Sequence, residues 1–241
     1  MPPYTFRELS WDSAFFNCRC ARADLTGEIT AGDAAEISRL AAGVDFLTVA
    51  SPAQCGNDPL IAAHIGGYLA DTAVTLTAAA DTIAAVAPAN PVRIVLNSAI
   101  AADPRLTAIA ATAFTCSRFY RDPAIPDEKA AEMYRIWVAG AAERETYSAI
   151  YEDKTGTPGG FILFAPLEPQ VWRIELAAVA EPLRGQGIGR SLLRGMAAWD
   201  SIGRQDEIRV VTQLCNHGAM NFYIDNGFRV AETVNLYHRH N

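Results

Sequence analysis

The 241-residue chain has no run of roughly 18–20 uninterrupted apolar residues, the length that a membrane-spanning helix requires. Its first ten residues include Arg7 and Glu8 but no apolar stretch of the kind a secretory leader carries. It also lacks a surplus of positive charge: 20 basic against 27 acidic side chains give a net charge of −7, the wrong sign for a general nucleic-acid binder. Cysteine is scarce and unpatterned. Cys18, Cys20, Cys55, Cys116 and Cys215 are odd in number and dispersed, and the single close pair has no second pair or nearby histidine to complete a metal set. The four histidines form no ligand pattern either, His238 and His240 lying in a strand-like run. The expectation is a cytoplasmic protein with reduced thiols and with no metal, nucleic-acid or membrane partner.

What is present is enough apolar sequence, 50% of residues, to bury a core without staples, in one large domain or two modest ones. Charge is unevenly spread. Residues 1–88 carry four arginines and ten carboxylates, whereas 89–241 carry 16 basic and 17 acidic side chains. The change falls at the turn-rich Pro88-Ala89-Asn90-Pro91, where we place a boundary between a small α/β domain (1–88) and a larger one (89–241). In the first, a helix is expected over 33–44 starting at Asp33, strands over 46–50 and 72–76, and a short helix over 59–65. The aromatic opening Trp11-Asp12-Ser13-Ala14-Phe15-Phe16 reads as edge packing. In the second, strands are expected over 92–96, 148–152, 161–164, 172–179 and 208–214, with two closing strands over 228–233 and 235–240. Helices are expected over 103–114, 127–141, 189–202 and 218–226. No internal repeat is present. The class is mixed α/β.

The most informative stretch is Ala177-Ala178-Val179-Ala180-Glu181-Pro182-Leu183-Arg184-Gly185-Gln186-Gly187-Ile188-Gly189-Arg190, between a strand and a helix whose core face is Leu192, Leu193, Met196 and Ala197. Glycines there let backbone N–H groups approach a ligand, and the helix start adds free donors and a dipole suited to anions. Arg184, Arg190 and Arg194 add positive charge, so a phosphorylated ligand is the natural partner. The glycine spacing is one position off the dinucleotide fingerprint, and no Lys-Ser or Lys-Thr follows to make a Walker loop. By itself the segment is equally readable as a plain glycine-rich turn.

Arg184, Gly187 and Gly189 spell R-x-x-G-x-G, which resembles the coenzyme A pyrophosphate loop of the GNAT acyltransferase superfamily. About thirty residues on, Asn216-His217-Gly218-Ala219-Met220-Asn221-Phe222-Tyr223-Ile224-Asp225-Asn226-Gly227-Phe228 resembles the superfamily's second signature. Asn216 suits a helix cap and an amide donor, and Gly227 a left-handed helix end. Tyr223 alone reads as a half-buried core tyrosine. The resemblance implies a GNAT acyl-CoA N-acyltransferase fold, a mixed central sheet flanked by helices, behind the small N-terminal α/β domain. It implies acetyl-CoA as co-substrate, with the backbone of Ala177 and Val179 pairing with the pantetheine arm and Arg184, Gly185, Gly187, Gly189, Arg190 and Asn216 contacting the coenzyme. Direct attack by an amine follows, with Tyr223 protonating the departing thiolate. A phenol of pKa about 10 can serve a thiol of pKa about 8.5 while staying protonated near neutrality.

By strand parity, Glu175 points to the same face as Ala177 and Val179 and is the candidate base, acting directly or through water; a carboxylate paired with a structural arginine is the other reading. Cys215 is expected to be buried rather than nucleophilic. The opening Leu9–Phe16 residues, Ala113-Phe114-Thr115-Cys116-Ser117-Arg118-Phe119 and Asn235-Leu236-Tyr237-His238-Arg239 are similar to the TDP-fucosamine N-acetyltransferases across nearly the whole chain. That likeness implies a nucleotide amino sugar as acceptor and a homodimer. Ser117, Arg118 and Tyr120 are then substrate-binding candidates, Arg118 either pairing with a diphosphate or holding a local turn. Another small amine, a protein N-terminus, or a non-catalytic CoA sensor are the alternatives.

Overall fold

A computed structural model of the chain describes residues 1–96, 103–144 and 146–241. The chain opens with β1 (Tyr4–Glu8), α1 (Ser10–Phe16), β2 (Cys20–Leu25), α2 (Ala31–Leu40) and β3 (Phe46–Pro52). A short α3 (Asp58–Leu60) runs into a π turn, followed by β4 (Tyr68–Ala79) and α4 (Ala80–Ala84). Next come β5 (Arg93–Leu96), α5 (Pro104–Ala113), α6 (Arg118–Arg121), α7 (Asp127–Ala139), β6 (Tyr147–Glu152) and β7 (Pro158–Glu168). The last elements are β8 (Val171–Val179), α8 (Ile188–Ala197), β9 (Glu207–Gln213), α9 (His217–Asp225) and β10 (Arg229–His240).

All ten strands form one sheet in the order β1-β2-β3-β10-β4-β9-β8-β7-β6-β5. The ladders β2–β3 and β8–β9 are parallel, each joined through a helix, and the others are antiparallel. Pro88–Pro91 lies in the connection from α4 to β5, but the sheet is not interrupted there: β10, from the C-terminal segment, is inserted between β3 and β4 of the N-terminal one.

Helix starts follow local chemistry. Thr30 caps α2 in a reciprocal capping box with Asp33, so the helix begins two residues before Asp33, which is the third helical residue rather than the cap. Asp103 caps α5, with Pro104 at its first position. The expected core face of α8 is buried: Leu192, Leu193, Met196 and Ala197 join β-strand residues such as Phe164, Ile174 and Val210 on one side of the sheet. The other side is covered by α5, α6 and α7 around Phe119, Met133, Phe161 and Leu163. A third cluster lies under α2 and the π turn.

One expectation is corrected, and two features are added. The two closing strands are one twelve-residue strand, β10, whose bulges between Val230/Glu232 and Leu236/Tyr237 disturb the alternation without breaking the ladder. The aromatic opening is helical, and Phe16 stacks on Phe119 and meets Phe46 edge-on, so α1 joins the cluster beneath α6 and α7. β1 and β2 form a further antiparallel pair that composition and periodicity did not reveal. Among the described residues no helix is long and apolar enough to cross a membrane. All five cysteines are free.

Candidate active site

The geometry of the site begins with the divergence of two parallel strands. β8 pairs with β9 only from Val171↔Glu207 to Ile174↔Val210, yet β8 continues to Val179 and β9 to Gln213. Along 175–179 the edge of β8 that faced β9 has no strand partner among the described residues, while its other edge stays paired to β7. Unpaired backbone donors and acceptors at that edge are available to an extended, amide-bearing ligand.

A cavity of about 690 Å³ opens beside this edge, lined by Ala177, Ala178 and Val179, the Leu183–Arg190 turn, Leu192 of α8, and Gly218, Ala219, Phe222 and Tyr223 of α9. Gly185 and Gly187 both have φ +77°, a conformation costly for a side-chain-bearing residue, and a Cβ at either would meet nothing within 4 Å. The backbone is thus exposed where α8 begins, and the first-turn N–H groups have no intrahelical partner. Arg184 and Arg190 line the same space, and Arg184 Nε donates to the carbonyl of Val179 at 3.1 Å, tying the turn to the end of β8. Free N–H groups, a helix dipole and two guanidiniums fit a polyphosphate, and the unpaired β8 edge fits an amide-containing arm. Arg194, grouped with these in the sequence, lies in the last turn of α8 and does not line the cavity.

Tyr223 is buried, with its ring between Phe222 and Phe228, and no described residue hydrogen-bonds its hydroxyl. Burial pushes its phenol well above the usual range, so the group is neutral and holds a proton at neutral pH. Asn216 caps α9, its Oδ1 accepting from the Ala219 N–H at 3.1 Å; that cap positions Gly218 and Ala219 in the cavity wall, although Asn216 itself is outside the lining.

The strand parity assigned to Glu175 does not hold. Leu163↔Leu176 is followed by Phe164↔Ile174, so Glu175 is the extra residue of a β-bulge, and the bulge shifts the alternation. Glu175 lines a second cavity of about 860 Å³, with Trp11, Trp137, Arg144, Arg173, Leu176 and Val211 among its walls. This cavity opens on the side of the sheet that carries α7. Consecutive residues of β8, Leu176 and Ala177, line the two cavities. Arg144 contacts one oxygen of Glu175 at 3.0 Å and Arg173 the other at 2.8 Å. Sequence reasoning gave Trp11 a packing role only and missed Arg144 and Arg173; the three lie in α1, the connection from α7 to β6, and β8, and share no motif.

Ser117, Arg118 and Tyr120 are brought together at α6, but none lines either cavity. The Tyr120 hydroxyl donates to the Ala111 carbonyl at 2.9 Å. Arg118 lies over the Phe119 ring at 4.4 Å with one terminal nitrogen buried and unpartnered, and burial brings its pKa down to about 10, so it remains charged. Phe119 in turn meets Trp137 edge-on at 6.2 Å. Cys215 is half-buried against Arg121, at 3.1 Å, outside both cavities.

The comparisons agree with this geometry. Residues 109–228 match the acetyltransferase (GNAT) family. The chain is 26% identical over 237 residues to a dTDP-fucosamine acetyltransferase of Escherichia coli, covering 94% of each. Among solved structures it is similar to a tandem GNAT protein from the clavulanic acid biosynthesis pathway (TM-score 0.61, 15% identity, 92% of this chain and 75% of that one). It is similar also to a GCN5-related N-acetyltransferase from Sphaerobacter thermophilus (TM-score 0.60, 14% identity, 99% and 76%). A Staphylococcus epidermidis protein of unknown function has the same fold (TM-score 0.66, 12% identity, 92% and 85%). The diverging strands, the glycine turn and Tyr223 thus lie within a GNAT domain, and the chain is an N-acetyltransferase of that family.

Proposed function

We propose that the protein transfers the acetyl group of acetyl-CoA to the primary amine of a nucleotide-linked amino sugar of the TDP-4-amino-4,6-dideoxyhexose type. The observation that carries the reading is the unpaired edge of β8 at 175–179, with the phosphate-suited turn on one side and an aromatic, arginine-bearing cavity on the other. Acetyl-CoA supplies an acetyl thioester already activated toward amines. Arg184, Arg190 and the first-turn N–H groups of α8 hold its phosphates. Ala177 and Val179 offer backbone groups to its amide-bearing arm, and Asn216, whose oxygen is spent on the cap, retains an amide N–H₂ for donation. Tyr223 holds the proton that the leaving sulfur takes up.

On the acceptor side, Trp11 and Trp137 present ring faces for a base, and Arg144 and Arg173 present cations for a diphosphate. Each oxygen of Glu175 already accepts from a guanidinium, so Glu175 is assigned to orienting the amine, with water carrying its proton away. Ser117, Arg118 and Tyr120 act from behind, α6 packing Phe119 against Trp137. The full-length similarity to a dTDP-fucosamine acetyltransferase supports the sugar-nucleotide acceptor.

Calorimetric titration with acetyl-CoA, followed by an acceptor screen read as free thiol, tests both halves. One coenzyme per chain and thiol release with TDP-amino sugars are expected. Release with polyamines, aminoglycosides or peptides but never with TDP-amino sugars would overturn the acceptor, and absence of acetyl-CoA binding would overturn the whole reading.

A further inference from the structure

His238 and His240 are two apart on β10 and share a face of the strand. The fold carries Asp122, the residue that ends α6, to that face from 116 positions away. His238 Nδ1 is 2.5 Å from Asp122 Oδ2, and His240 Nε2 is 2.8 Å from the same oxygen. Among the described residues this is the one group of three such side chains whose donor atoms all lie within 4.8 Å of one another.

The surroundings are those of a metal pocket. The side chains of Asp122 and His238 are fully buried, while His240 is 27% exposed and leaves a route from solvent. Phe46 stacks on His240 at 4.5 Å and meets His238 edge-on at 4.9 Å, forming a dry wall. The second oxygen of Asp122 accepts from the Ala124 N–H at 2.9 Å, which fixes the carboxylate's orientation, and the Tyr68 hydroxyl also reaches the carboxylate. Two further features bear on the cluster. Among the described residues Asp122, a buried carboxylate, has no lysine or arginine ion pair, its charge-bearing partners being the two imidazoles. His238 Nε2, the ring nitrogen not aimed at Asp122, is buried and has no partner, so Nδ1 is the nitrogen that faces the cluster. Buried charges are paired or coordinate metals, and the two imidazoles that pair with this carboxylate are themselves metal-ligating groups. Arg118, whose field reaches His238, is itself offset by Asp12 and Asp71.

We propose that Asp122, His238 and His240 bind a divalent transition-metal ion, zinc in the first instance, through Oδ2, Nδ1 and Nε2. Two imidazoles and one carboxylate are a recurrent three-residue set for such ions, with water completing the coordination. A tetrahedral zinc with bonds of about 2.1 Å spaces its ligand atoms roughly 3.4 Å apart. Admitting the ion therefore requires each nitrogen to retreat from Oδ2 by roughly 0.6–0.9 Å. The ion would take the place of the two hydrogen bonds, bridging α6 to β10.

The test uses tag-free full-length protein, treated with chelator and exchanged into chelator-free buffer, then titrated with zinc alone by calorimetry and with cobalt(II) by visible absorption. One equivalent should bind, with the d–d bands of low-coordinate cobalt, and His240→Gln and Asp122→Asn should each weaken zinc binding by at least about 100-fold, since even loss of an outer-shell partner costs 10–100-fold. His240 is partly exposed, so His240→Gln should keep the wild-type circular dichroism and acetyl-CoA binding. Cys18 and Cys20, with Sγ atoms 3.7 Å apart, are the competing donors. No saturable zinc binding by the folded chain overturns the proposal. So does binding that persists in both variants, or that is lost in Cys18→Ser while His240→Gln leaves it intact.

Discussion

Tyr223 and Glu175 were singled out together from the sequence, and the structure treats them differently. Tyr223 is a buried phenol with no hydrogen-bond partner among the described residues, at the wall of the cavity beside the glycine turn. Glu175 is a carboxylate clamped by two arginines at the wall of the other. Tyr223→Phe should lower turnover roughly 100-fold or more, the usual contribution of a general acid, while leaving acetyl-CoA affinity unchanged in calorimetry. The pH dependence has a definite sign. The phenol is neutral when protonated, and burial raises its pKa, so the folded state favours the competent form. Wild-type turnover should therefore show no alkaline loss attributable to Tyr223 below about pH 10, the unperturbed phenol value. The motif around Tyr223 was legible because its residues are contiguous; the clamp on Glu175 was not, because Arg144 lies far from it in sequence, in the connection from α7 to β6.

At the scale of elements, the α8 turn was the most legible part of the chain. Its glycines, arginines and amphipathic face occupy one unbroken stretch, and local chemistry decides their conformation. Gly187 starts α8 in the left-handed region with open space above it. Gly187→Ala should accordingly destabilise the fold by roughly 1–2 kcal/mol, the left-handed penalty for an L-residue, and weaken acetyl-CoA binding by disturbing the exposed backbone. Thermal melts with and without acetyl-CoA would separate the two effects. Bulges were not legible. One in β8 turned Glu175 from the face its parity assigned, and two in β10 made one strand read as two. Each inserts a residue whose cost is settled by the partner strand, which a single-strand pattern does not contain. The same is true of Asp122, which meets His238 and His240 only after α6 is laid against β10.

Across the whole molecule, charge and architecture divide the chain differently. The acidic surplus belongs to residues 1–88. The sheet nevertheless runs through both segments, and Trp11 from the first segment lines the cavity around Glu175 with Trp137 and Arg173 from the second. Shared strands couple the stability of the two segments. Thermal or urea unfolding should therefore give a single transition, coincident by far-ultraviolet circular dichroism and by tryptophan fluorescence; two separated transitions would show that 1–88 and 89–241 melt independently.

The position of β10 between β3 and β4 has a consequence for how the protein is made. On the ribosome, β3 and β4 emerge with a strand-wide gap between them, and the residue that begins to fill it follows the end of β4 by 150 positions. At synthesis rates of 5–20 residues per second, that gap stays open for roughly 8–30 s. During this interval the two strand edges that β10 will join are unpaired, in a segment that carries a net negative charge. The acidic excess of residues 1–88 disfavours pairing between copies of the chain while that gap is open, and β10 is the strand that closes it.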